Sequence, residues 1–170
     1  MSSISSRASI LAVLAVLVVG VAYAADKTNM LKPTNKVDSW RFEQHEQGKG
    51  KMEPAAEGAM VFTVTDADGT DWHVQAFQTP LDLKDGKEYV VTFKAKAAEP
   101  RSVRVQAGID EEDYHMVGLD ETAEIGKDWK AYEYKFTAAD TKPNKNRFGF
   151  VLGGEKGVVH VKDLVLKPAK

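Results

Sequence analysis

In the second half of the chain, apolar residues recur at every second position in five segments: EYVVTFKAKA (88–97), SVRVQAGI (102–109), WKAYEYKFTA (129–138), NRFGFVLGG (146–154) and GVVHVKDLVL (157–166). A period of two is that of a strand buried on one face. Short strands divided by Gly, Pro, Asp and Asn describe an all-β sandwich or barrel. No segment carries a convincing helical period, and no internal repeat interrupts the pattern. A fold of this kind leaves one solvated sheet face open to a ligand, and function should be sought there.

The ends and the composition narrow the field. Arg7 precedes an apolar stretch from Ile10 to Val21, and Ala22-Tyr23-Ala24 follows with small residues at signal-peptidase spacing. Residues 1–24 therefore read as a signal peptide cleaved after Ala24, which makes the protein secreted or periplasmic. The apolar run is short for a membrane span, so no stable span is expected after cleavage. The 23 basic and 25 acidic residues are well mixed, with no basic patch of the kind that binds nucleic acid. Without cysteine there is neither a disulfide framework nor a thiol catalyst, and export without disulfides points to a bacterium.

Residues 25–36 form a polar lead-in carrying Pro33, and 37–170 read as a single domain. Trp40 and Phe42 mark the core face of a first strand within 37–46. Gly48-Lys49-Gly50 is a turn before a strand at 59–65. Another strand at 72–83 is interrupted by Pro80. Strands follow at 88–97, 101–109, 114–119, 129–138, 146–153 and 157–166, with 122–128 read as a connection. Alternation sends Tyr89, Val91, Phe93, Val103, Val105, Ile109, Tyr132, Tyr134, Phe136, Phe148 and Phe150 inward. It leaves Arg104, Gln106, Arg147, Gly149 and Val151 outward. Arg104, Gln106 and Arg147, with Gly108 and Gly149 leaving room beside them, make a shallow polar floor of hydrogen-bond donors. The same residues also fit an ordinary solvated face.

Other signals carry less. The loop 66–71 (DADGTD) lacks the spacing and the twelfth-position Glu of a calcium loop, and reads as a turn. His45, His73, His115 and His160 sit singly, without zinc spacing. Glu111, Glu112 and Asp113 are consecutive in a loop, where neighbours point apart, so they do not offer the paired carboxylates of a glycosidase. The chain reads as non-catalytic and requires no cofactor.

In order and spacing the segments resemble the carbohydrate-binding modules of families 4 and 9. The motifs are L-x-x-G-x-x-Y at 83–89, R-x-V at 101–103, W-x-x-Y-x-x-x-F-T at 129–137, the L-G-G hairpin at 152–154 and D-x-x-L at 163–166. The resemblance spans about Trp40 to Pro168. It implies a jelly-roll β-sandwich of two antiparallel sheets that binds a polysaccharide or oligosaccharide along one sheet, by aromatic stacking and hydrogen bonds to hydroxyls. Carried over by position, the ligand-binding residues are Trp72, Arg104, Tyr114, Arg147 and Thr79, joined by Gln106 from the reading of the floor. Val151 departs from a polar position of the family. Trp72 and Tyr114 rest on the resemblance alone, since alternation puts Trp72 on the face of Val74 and Ala76. Trp40 and Trp129 read as core. The family's structural calcium would fall at Asp163, although the usual acidic partner has no counterpart in NMLKPTNK. The alternative is an exported jelly-roll module that binds an unknown protein or the cell surface, its sugar site decayed.

Overall fold

The computed structural model describes residues 28–169; the expected leader and the first residues of the lead-in lie outside them. Ten strands follow in order: β1 (Arg41–Gln44), β2 (Lys49–Pro54), β3 (Met60–Asp66), β4 (Val74–Leu81), β5 (Glu88–Ala97), β6 (Arg101–Ile109), β7 (Met116–Ile125), β8 (Lys130–Thr137), β9 (Asn146–Val151) and β10 (Gly157–Pro168). They form two antiparallel five-stranded sheets, a front sheet ordered β1-β4-β9-β6-β7 and a back sheet ordered β2-β3-β10-β5-β8. This is the all-β jelly-roll sandwich that the alternation and the resemblance anticipate. Among the described residues no helix is long and apolar enough to cross a membrane.

The inward positions of both sheets meet in one core. Phe150 on central β9 sits at its hub, with ring centroids 5.2 Å from Phe93, 5.6 Å from Phe148 and 6.1 Å from Trp40. A bulge between Lys162 and Val165 shifts the parity of β10, so that Val159 and Val161 before it and Leu164 and Leu166 after it all point inward. The lead-in is tied down rather than extended as a strand. Buried Gln78 accepts from the Lys32 amide at 2.8 Å, and the Trp40 indole donates to the Thr34 carbonyl at 2.8 Å.

Four local expectations need correction. The turn at 48–50 is partly strand, because β2 begins at Lys49 as a polar edge strand. The connection at 122–128 is largely strand too: β7 runs to Ile125 with Val117, Leu119, Ala123 and Ile125 buried, and Glu121 hides the period. Trp72 lies in a 3-10 turn (Asp71–His73) before β4, where alternation no longer fixes its direction. Trp129 is not core. It has the opposite parity to Tyr132 and Phe136 and lies half-buried on the outer face of the back sheet, with the Lys162 and Lys96 ammoniums 4.3 and 5.0 Å from its ring.

Candidate functional site

Directly opposed residues of antiparallel strands share a face, so register assembles the outer surface of the front sheet in rows. One row is Glu43, Gln75, Val151, Arg104 and Thr122; the next is Arg41, Phe77, Gly149, Gln106 and Asp120. Arg147 opposes Gly108 in a third. The Trp72 turn adjoins the first row and the Tyr114 loop the third. From these rows Arg41, Glu43, Gln75, Arg104, Gln106, Arg147 and Val151 line a groove of about 470 Å³, together with Trp72, Tyr114, His45 and Met116.

Trp72 and Tyr114 are 49% and 55% exposed, two of the three large hydrophobic side chains left open among the described residues. The Trp72 ring is braced by His73 at 4.2 Å and His45 at 5.3 Å. The floor between them differs from the open polar shelf expected. A Cβ on Gly149 would lie 2.2 Å from the Ala76 carbonyl oxygen and 2.5 Å from Phe77 Cβ, and one on Gly108 would lie 3.0 Å from Met116 Cε. The glycines make room for Phe77 and Met116, and not for a ligand. Phe77 forms an apolar floor beneath two guanidiniums, Arg147 at 4.5 Å and Arg41 at 4.8 Å from its ring.

The three arginines are used differently. Arg104 Nη1 donates to Asp71 at 2.8 Å and Nη2 to Asp120 at 2.9 Å, while Gln106 also donates to Asp120 at 3.0 Å. Arg41 donates from Nε to Glu43 at 2.8 Å and from Nη1 to Asp110 at 2.6 Å. Arg147 is buried between Phe77 and the Tyr114 ring, whose centroid is 5.7 Å away. Its nearest acid is Asp110 at 3.8 Å. Burial pushes its guanidinium below the ordinary arginine value against the pull of Asp110 and Glu43. Burial raises the Glu43 and Asp120 carboxyls, but the bonds and charge of Arg41 and His45 on Glu43, and the bonds of Arg104 and Gln106 with the Arg104 charge on Asp120, outweigh it. Both end below the ordinary carboxylate values.

Of the residues read from sequence, Trp72, Arg104, Gln106, Tyr114 and Arg147 converge on this groove, with Val151 in its floor. Thr79 does not line it; beside the cis Thr79–Pro80 bond its hydroxyl donates to the Asn146 carbonyl at 3.3 Å. Asp163 lies in the β10 bulge and meets Lys94 Nζ at 3.0 Å. Among the described residues no group of three or more His, Cys, Asp or Glu side chains able to hold a metal ion occurs, and the Asp163 carboxylate is engaged by a lysine. Sequence reasoning missed Arg41, Glu43, His45, Gln75 and Met116. The first three alternate with Trp40 and Phe42, and that parity was the signal that could have found them.

A family model described as a carbohydrate binding domain matches residues 32–157. Among solved structures, a family 4 carbohydrate-binding module superposes with a TM-score of 0.69 at 23% identity, covering 85% of this chain and 96% of its own. The N-terminal cellulose-binding domain of Cellulomonas fimi β-1,4-glucanase C superposes with a TM-score of 0.66 at 17% identity, covering 84% and 97%. The second such domain of that enzyme gives 0.63 at 18%, covering 86% and 98%. No curated protein sequence matches.

Proposed function

The chain belongs to the carbohydrate binding domain family of types 4 and 9, and from that premise we propose that it is an exported, non-catalytic module that binds a polysaccharide or oligosaccharide in the groove of its front sheet. The observation that carries this reading is the pair of exposed rings, Trp72 and Tyr114, in one groove with guanidiniums stacked on buried Phe77. Pyranose rings offer apolar C–H faces to such platforms and hydroxyls to such donors. An open groove of this size supports modest affinity, about 10⁻³ to 10⁻⁶ M. The carboxylates support a binding rather than a hydrolytic role: a glycosidase acid needs a raised pKa, whereas Glu43 and Asp120 are held ionised by arginines. The test is native affinity electrophoresis of wild type and W72A through gels containing soluble β-glucans, xylan and other polysaccharides. Retardation by one polymer, lost in the folded variant, is the expected result. Free migration in every gel would overturn the reading and turn attention to a protein partner.

A further inference from the structure

The loop that carries Tyr114 is held in an unusual way. Asp113 and Tyr114 are consecutive non-glycine residues with left-handed backbone, at φ 71° and 46°. Such conformations persist only where their surroundings enforce them. The Tyr114 amide donates to the Glu111 carbonyl at 2.9 Å and the His115 amide to Asp113 Oδ1 at 3.3 Å, and the side chain of the next residue ties the loop to its neighbour. His115 Nδ1 lies 2.7 Å from Asp113 Oδ1, and Nε2 lies 2.8 Å from the carbonyl oxygen of Asp140, itself left-handed at φ 55°. Both partners are acceptors, so both ring nitrogens must carry a proton. Either neutral tautomer would set a nitrogen lone pair against an oxygen.

From this geometry we infer that protonated His115 is a latch that positions Tyr114 at the end of the groove, so that glycan affinity falls as His115 loses its proton. The inference rests on the glycan-binding reading above and adds its regulation. The groups facing the imidazole come from three loops and one strand end. Asp113 is on its own loop, and Asp140, Thr141 and Lys142 are on the β8–β9 connection. Asp85 is on the β4–β5 connection, and Met116 begins β7. The Lys142 ammonium opposes the imidazolium, but it is drawn to Glu111 at 2.6 Å; Asp85 accepts the Thr141 amide at 2.8 Å. The Asp140 carbonyl and then the Asp113 carboxylate hold His115 above its ordinary value of 6.5, against burial and Lys142. The sign follows from that direction. The latch is intact below 6.5 and is released as pH rises through the raised value.

Two readouts test it. Affinity for the retarding polymer, followed by tryptophan fluorescence from about pH 5.5 to 8.5, falls about threefold or more in the wild type; H115Q holds the weaker affinity throughout. A flat wild-type profile, or a slope that survives in H115Q, overturns the latch. In the free protein, the NMR amide signal of Tyr114 shifts with the same midpoint as the His115 ring, and independent titration of the two also overturns it. If no polymer binds at any pH, the glycan reading fails, and the NMR titration alone decides the latch.

Discussion

The two outer faces of the sandwich come from the same alternation, yet they treat their aromatic residues in opposite ways. On the back sheet the Trp129 ring is covered by the chain's own cations, Lys162 and Lys96, with His160 edge-on at 6.2 Å. On the front sheet Trp72 and Tyr114 stand open, and Arg147 sits beneath Tyr114 without a carboxylate closer than 3.8 Å. Both faces contain rings and cations. They differ in exposure: the Trp129 ring is covered by cations, whereas the Trp72 and Tyr114 rings of the front face stay open as stacking surface.

That contrast can be broken by substitution. The largest effect is expected for W72A, which removes a stacking platform worth about 2 kcal/mol and weakens glycan binding about thirtyfold, whereas W129A leaves affinity within about twofold. Titration calorimetry of the two variants reads both numbers, and equal losses would erase the distinction between the faces. The floor is tested by G149A. Its new Cβ would collide with the Ala76 carbonyl and Phe77, and the expected cost is about 2 kcal/mol of stability in urea unfolding. An unchanged midpoint would mean that the floor is looser than described. R147A should weaken binding about tenfold, or about 1.4 kcal/mol, through the loss of a guanidinium in the groove whose nearest carboxylate, Asp110, is 3.8 Å away. The smallest effect belongs to the back face. K162A uncovers Trp129 at a cost of about 1 kcal/mol or less in unfolding, with glycan affinity unchanged.

How much of this was legible in the sequence depended on whether a residue sat inside a regular strand. The bounds of β5 and the inward residues of β5, β6 and β9 follow from alternation alone, because a one-residue slip would turn the whole apolar face of such a strand out of the core. Edge strands were harder. β2 reads as polar and β7 is interrupted by Glu121, since an edge facing solvent tolerates such residues. Within the site, Arg104, Gln106 and Arg147 were readable by parity, and Trp72 and Tyr114 through the family resemblance. Trp72 escapes alternation because a 3-10 turn redirects it. The pairing of Gly149 with Phe77 could not be read, because only cross-strand register tells which neighbour fills the space a glycine leaves. Trp129 shows the reverse error: its parity opposed the core residues of β8, and size alone favoured burial.

The three tryptophans provide the most direct measurement, because one lies in the core, one at the groove and one on the opposite face. In NMR spectra recorded while a soluble β-glucan or xylan is added, the Trp72 indole N–H signal should move, while those of Trp40 and Trp129 stay in place. Movement of the Trp129 signal with Trp72 still would put the ligand on the back sheet and contradict the proposed groove.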